Sequence, residues 1–204
     1  METLDKLFGS AGFVKIMKLF LFNTDQVFEK SEVQRRTKTS SHIINRELKT
    51  LEEISFIQKK TFYKEGRKLK NGKYGKKKRI QGYTLNRGFQ YIVPLQKILI
   101  ESSPIVHKDL LKRLQKSGKI KHVTVAGVFI QNDDSRIDLL VVGDSIQANK
   151  IKSTISLMES EIGRQLRYSV LDTTDFKYRM GICDRLVRDI FDFPHKVLID
   201  KIGV

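Results

Sequence analysis

The run from Ala126 to Asp144, Ala-Gly-Val-Phe-Ile-Gln-Asn-Asp-Asp-Ser-Arg-Ile-Asp-Leu-Leu-Val-Val-Gly-Asp, constrains this chain more than any other. Ile137-Asp-Leu-Leu-Val-Val142 reads as a buried strand with a charged start, and Val123-Thr-Val-Ala-Gly127 as the strand before it. The polar stretch between them is loop-like, and Asp133 and Asp134 read as a solvated turn rather than as metal ligands. A helix is expected over Ile151 to Ile162 and a returning strand over Arg167-Tyr-Ser-Val-Leu171. Strand, loop, strand, helix, strand is the order of an α/β sheet domain.

From about Lys119 to Ile202 this pattern resembles the nucleotidyltransferase domain of the DNA polymerase beta superfamily. That family reads h-G-[GS], a helix, then S-D-x-D-h-h-h, where h is apolar. On the resemblance, Gly127 is the family glycine and Asp138 the second acid, while Arg136 stands where the first acid belongs and Val128 where a small residue belongs. The family holds two Mg²⁺ ions with carboxylates that a strand presents on one face at alternate positions. A guanidinium in that row repels Mg²⁺ and does not deprotonate; it is expected to contact phosphate or to pair with Asp138. The family's third acid belongs on the strand at Arg167–Leu171, which contains none, and Asp172 lies just past it. The resemblance therefore implies the fold with its catalysis damaged: Gly127, Arg136 and Asp138 as a vestigial nucleotide site, no catalytic residue and no metal site. ATP and Mg²⁺ are the cofactors only if that site retains binding.

The 204 residues carry a net charge of +16, unevenly spread. Residues 1–90 hold 21 Lys and Arg against 9 Asp and Glu, and residues 91–204 hold 18 against 14. A basic field concentrated in one half usually faces a polyanion. The one cysteine, Cys183, excludes an internal disulfide, fits a reducing compartment and reads as a small buried hydrophobe. The four histidines, 42, 107, 122 and 195, lack metal-ligand spacing. Phe13 to Phe22 is too short and too charged to span a bilayer. The N-terminus lacks a basic start and a small-residue cleavage site, so the expected location is the cytoplasm, with no membrane partner.

In the basic half, Phe13, Ile16, Met17, Phe20 and Leu21 recur at helical steps from Ser10, and Asn23-Thr-Asp25 ends that helix. A short helix over Lys30 to Thr37, with Val33 inward, is followed by a turn at Lys38-Thr-Ser40. A third helix starts at Ser40 or Ser41, either a good N-cap. Ile44, Leu48, Leu51 and Ile54 form its apolar stripe, and Ser41, His42, Asn45, Arg46 and Lys49 its opposite side. Those side chains hydrogen-bond base edges and phosphates. Ile57–Tyr63 and Arg79–Leu85 alternate like paired strands. Between them, Lys64 to Arg79 holds nine Lys and Arg, one acid, three glycines and the turn signal Asn71-Gly72.

Residues 10–86, and above all Ile44-Asn-Arg-Glu-Leu-Lys-Thr-Leu-Glu-Glu-Ile-Ser-Phe-Ile57, resemble winged helix-turn-helix transcriptional regulators. The resemblance implies that Arg46 and Asn45 read bases, with Ser41, His42 and Lys49 assisting. In the hairpin, Lys68, Lys70, Lys73, Lys76, Lys77, Lys78 and Arg79 would contact phosphate, and Tyr74 reads as a cap of the loop rather than as a ring that stacks on a base or sugar. Such lysines give salt-sensitive affinity without reading sequence.

Gly88 to Ile100 reads as a helix entered or kinked near Pro94, and Ile105 to Gln115 as an amphipathic helix ending at Ser117-Gly118. The first of these has apolar residues on more than one side, which fits either a homodimer seam or packing between domains. Near the C-terminus one helix is expected over Tyr178 to Phe191 with Ile182, Leu186, Val187 and Ile190 inward, then a strand at Val197–Ile199. Phe176, Tyr178, Phe191 and Phe193 read as core, and His195 as a hydrogen-bonded turn residue.

The expected architecture is thus α+β in two domains: 1–86, a winged helix-turn-helix; 87–118, linker and dimerisation helices; and 119–204, a mixed-sheet nucleotidyltransferase-like domain. The expected function is a sequence-specific regulator that binds double-stranded DNA and carries an inactive nucleotidyltransferase-like regulatory domain. The competing expectation is an active Mg²⁺-dependent nucleotidyltransferase that modifies a protein or RNA and is targeted by its winged helix.

Overall fold

The structure, a computed structural model, describes residues 3–64, 76–101, 107–132 and 134–203 of a mixed α+β protein. The chain forms two compact units, residues 1–103 with 160–164 and residues 104–159 with 165–204.

The first unit opens with a short helix α1 (Thr3–Leu7), then α2 (Ala11–Phe22), α3 (Lys30–Thr37) and α4 (Ser41–Glu53). Ser10 caps α2, its hydroxyl oxygen accepting the Phe13 N–H at 3.0 Å. Val14, Ile16, Met17, Leu19, Phe20 and Leu21 are all buried, so α2 is enclosed on more than the one stripe that periodicity predicts. Full burial of each such side chain stabilises by about 1.5–3 kcal/mol. Gly12 lets α2 approach its neighbours: a Cβ there would lie 2.9 Å from Ile43 Cγ2 and 3.1 Å from Thr39 Cγ2. Helix α3 contributes Val33, and Lys38 takes a left-handed φ of 52° that turns the chain into α4. On α4, Ile44, Leu48 and Leu51 are buried as expected, whereas Ile54 is 47% exposed. The helix ends at Glu53, which carries Ile54 away from the stripe.

Strands β1 (Ile57–Lys64) and β2 (Lys78–Leu85) pair antiparallel, from Ile57 opposite Leu85 to Lys64 opposite Lys78. Phe28 adds a bridge to Tyr83 through two backbone hydrogen bonds of 2.9 and 2.8 Å. At the far end of β1, Lys64 pairs with Glu29 at 2.7 Å. The hairpin is therefore fastened to the segment that enters α3 at two points along its length. The loop carrying Tyr74 and Asn71-Gly72 lies outside the described residues. Beyond β2, helix α5 (Ile92–Gln96) runs into a π-helical turn at Lys97–Glu101. Pro94 sits in the first turn of α5, where its missing N–H interrupts no helical bond.

The second unit contains α6 (His107–Gln115), β3 (Lys119–Ala126), β4 (Leu139–Asp144), β5 (Tyr168–Leu171), α8 (Thr173–Gly181), α9 (Arg185–Phe191) and β6 (His195–Asp200). Helix α7 (Ala148–Ile162) connects β4 to β5. The sheet order is β5-β4-β3-β6, with β4 and β5 parallel and the other pairs antiparallel. A parallel pair needs a crossover, and α7 supplies it. Leu139 to Val142 are all buried, which fits a strand covered on both faces. Leu140, Val142, Leu171, Phe176 and Ile190 form one core cluster.

Several expectations in this unit fail. Residues 178–191 form not one helix but parts of two, because Asp184 caps α9 by accepting the Leu186 N–H at 3.0 Å. Ile182 and Tyr178 consequently face solvent at 55% and 65% exposure, while Val187 and Ile190 are buried. Cys183 is exposed, not buried, in the turn between the helices with a φ of 52°. Between Gly127 and β4 the described residues contain a single 3₁₀ turn, Gly127–Phe129, in place of the expected family helix. His195 is hydrogen-bonded, its Nδ1 2.8 Å from the Phe193 carbonyl, but it is the first residue of β6, opposite Ala126, and not a turn residue.

No helix among the described residues is long and apolar enough to cross a membrane.

Candidate functional site

Two regions carry the residues singled out from the sequence. The first is the outer side of α4 and the hairpin beside it. Ser41, His42, Asn45, Arg46 and Lys49 are all exposed, and their spacing of three and four residues sets them on one side of the helix. The Ser41 hydroxyl accepts a hydrogen bond from Gln34 Nε2 at 2.8 Å, which ties α3 to α4. Lys49 lies 3.6 Å from Glu53. Arg46 donates to the buried Glu47 at 2.7 Å while its side chain stays 61% exposed. His42 and Asn45 make no side-chain hydrogen bond among the described residues.

In the hairpin, Lys76, Lys77, Lys78 and Arg79 are exposed and have no ion-pair partner among the described residues. Tyr63, largely exposed, stands opposite Arg79 in the strand pairing. Nearer the base, Lys59 is held by Glu52 at 2.7 Å, and that hydrogen bond raises its pKa above the usual lysine value. Lys68, Lys70 and Lys73 lie outside the described residues. On the hairpin, Lys76, Lys77, Lys78 and Arg79 thus keep their charge for an outside partner, whereas Lys59 and Lys64 are paired with Glu52 and Glu29.

The second region surrounds Asp138. Its side chain is fully buried at the entry to β4. Oδ1 accepts the Val128 N–H at 3.2 Å and Arg167 Nη2 at 3.2 Å. Oδ2 accepts the Arg167 backbone N–H at 2.8 Å and Arg167 Nε at 3.1 Å. The Arg167 guanidinium grips the carboxylate through two parallel bonds, the strongest geometry available to such a pair. Gly127 is required here for two reasons: its φ is +54°, and a Cβ would stand 2.0 Å from Asp138 Oδ1.

Arg136 does not join this centre. It reaches α9 instead, where Nη1 donates to Asp189 at 3.1 Å. The expectation that it pairs with Asp138 is therefore corrected: Arg167 makes that pair. Asp172, considered for the third acid position, caps α8 by accepting the Asp175 N–H at 2.6 Å. Both oxygens of Asp138 are filled by N–H donors, which leaves the carboxylate poorly placed to take a cation. Among the described residues no group of three or more His, Cys, Asp or Glu side chains could hold a metal ion.

Sequence reasoning missed Arg167 and Glu47. The parallel pairing sets Leu139 opposite Tyr168, so the residues preceding each, Asp138 and Arg167, become neighbours. An arginine at the start of one strand and an aspartate at the start of its parallel neighbour would have been the signal, had the register been known. Glu47 reads from sequence as a polar residue in a polar helix; its burial follows from lying one position before Leu48 on the α4 stripe.

Compared with protein-family models, with curated proteins and with solved structures, the chain matches none.

Proposed function

We propose that the chain is a sequence-specific, double-stranded-DNA-binding regulator. In this reading residues 1–86 act as a winged helix and residues 119–204 as a nucleotidyltransferase-like domain that no longer catalyses. The observation that carries the proposal is the outward row His42, Asn45, Arg46 and Lys49 on α4, with exposed and unpaired Lys76, Lys77, Lys78 and Arg79 on the neighbouring hairpin. Amide and guanidinium groups can read base edges in the major groove, and lysines can replace the counterions of phosphates. Asn45 and Arg46 would supply sequence preference, the hairpin cations most of the affinity. The four donors on Asp138 support the loss of transferase chemistry, because a carboxylate occupied by arginine does not bind Mg²⁺.

The test is fluorescence anisotropy with labelled duplexes at a series of salt concentrations. With six or more phosphate contacts, affinity should fall about a thousandfold between roughly 50 and 200 mM salt. Absence of binding at the lowest salt would refute the reading.

A further inference from the structure

Glu47 is the most unusual residue on α4. It is a carboxylate buried in a helix whose other charged groups face water. Its Oε1 accepts two hydrogen bonds, from the Ser10 hydroxyl at 3.0 Å and from Arg46 Nη2 at 2.7 Å. Ser10 in turn accepts the Phe13 N–H at 3.0 Å as the cap of α2. The cap of one helix, a buried acid and an exposed arginine on another helix therefore form one continuous chain. A buried carboxylate without partners is strongly disfavoured, so Glu47 is held in place by the groups it holds.

A guanidinium offers two edges with two donors each, Nε with Nη2 and Nη1 with Nη2. Glu47 takes one hydrogen of Nη2, and Arg46 has no other hydrogen-bond partner among the described residues. Whichever hydrogen is used, one two-donor edge stays complete. That edge is what a guanine presenting O6 and N7 accepts.

We propose that Glu47 is a positioning residue which fixes the direction of Arg46 and so determines base preference without touching DNA. The inference rests on the duplex-DNA reading above. An arginine free to rotate would reach several phosphates as readily as one base. An arginine tethered on one side presents its remaining edge in one orientation and loses less freedom on binding. Glu47 also places a negative charge near the interface, which lowers affinity for nearby phosphates whatever the base sequence. The same carboxylate thus trades general affinity for discrimination.

The experiment uses the full chain. Duplexes preferred by the wild-type protein are selected from a random pool, and the Kd ratio between a selected and a scrambled duplex is measured for wild type, Glu47→Gln, Arg46→Ala and the double variant. The ratio should fall about tenfold in Glu47→Gln, the discrimination expected of one bidentate contact. Binding to the scrambled duplex should be unchanged or tighter, an outcome that simple loss of folding cannot produce. The double variant should discriminate no worse than Arg46→Ala alone.

A Glu47→Gln protein that keeps the full ratio overturns the proposal while leaving DNA binding intact. A wild-type protein that binds no duplex overturns the functional reading and this inference with it. Should Glu47→Gln fail to fold, nuclear magnetic resonance of the free wild type decides. The Arg46 guanidinium should rotate more slowly than that of Arg79, and equal mobility of the two would sink the proposal.

Discussion

On α4 His42, Asn45, Arg46 and Lys49 stand outside the core with most of their donors open to solvent, whereas Asp138, fully buried, has both carboxylate oxygens filled from within its own unit. Arginine serves both arrangements. Arg46 gives one N–H to Glu47 and keeps one two-donor edge without a partner among the described residues. Arg167 directs Nε and Nη2 together at Asp138. The difference teaches that net charge alone does not identify a binding surface: what counts is whether the donors are already engaged.

The comparison can be broken most severely at Gly127. A Gly127→Ala change combines an unfavourable positive φ with a methyl in the space of Asp138 Oδ1, and should destabilise the protein by about 4 kcal/mol in urea unfolding. Unchanged stability would mean that Asp138 is not held as described. Next in size, Asp138→Ala removes the acceptor of four N–H bonds and should destabilise by about 3 kcal/mol. That figure is reduced because the Arg167 side chain is 43% exposed and can turn to water. If Asp138 were instead a metal ligand, the same variant would abolish a Mg²⁺-dependent rise in the wild type's Tm. No such rise is expected.

How much of this was legible beforehand follows the range of the interactions involved. Helices α2, α3 and α4 could be placed from sequence because their signals are local: apolar residues at helical spacing, Ser10 and Ser40 before the first turns, and Lys38 at a turn. The hairpin was legible for the same reason, since two alternating runs flank a loop rich in glycine and lysine. The break between α8 and α9 was not, although Asp184 at the head of α9 is a local cap signal; the apolar spacing of Ile182 with Leu186 concealed it. The partner of Asp138 was the least legible. Arg167 lies 29 residues away, and only the parallel register of β4 and β5 brings the two together. Arg136, two positions from Asp138, was the nearer choice in sequence but reaches Asp189 in space.

Smaller effects sharpen the comparison. Replacing Lys76, Lys77, Lys78 and Arg79 together with alanine should weaken binding to all duplexes alike, on the order of a hundredfold at moderate salt, and flatten the salt dependence by up to about one unit of slope per lost contact. Stability should hardly change, since these side chains pair with nothing among the described residues. Unequal losses across sequences would show that the hairpin reads bases as well as phosphates.

The smallest effect concerns Asp144. The Lys121 ammonium 2.6 Å away, followed by Thr173, lowers this carboxyl from its ordinary 3.8 to about 2. A folded value below the unfolded one means that the stabilisation is present above about pH 4 and is lost as pH falls toward 2. In Lys121→Met that part of the acid dependence should shrink, seen as a smaller shift of the urea midpoint across the window. Because both groups are well exposed, added salt should reduce it too.

The grip of Arg167 on Asp138 has a consequence for how this chain could change over time. Introducing an acid at position 136 would find its neighbour already engaged, and removing Arg167 first would leave a bare negative charge sealed inside the protein. Each single step is unfavourable, so acquiring a two-acid centre would require both changes at once. In this respect the arginine works as a lock, closing the single-substitution routes to a cation site at this position.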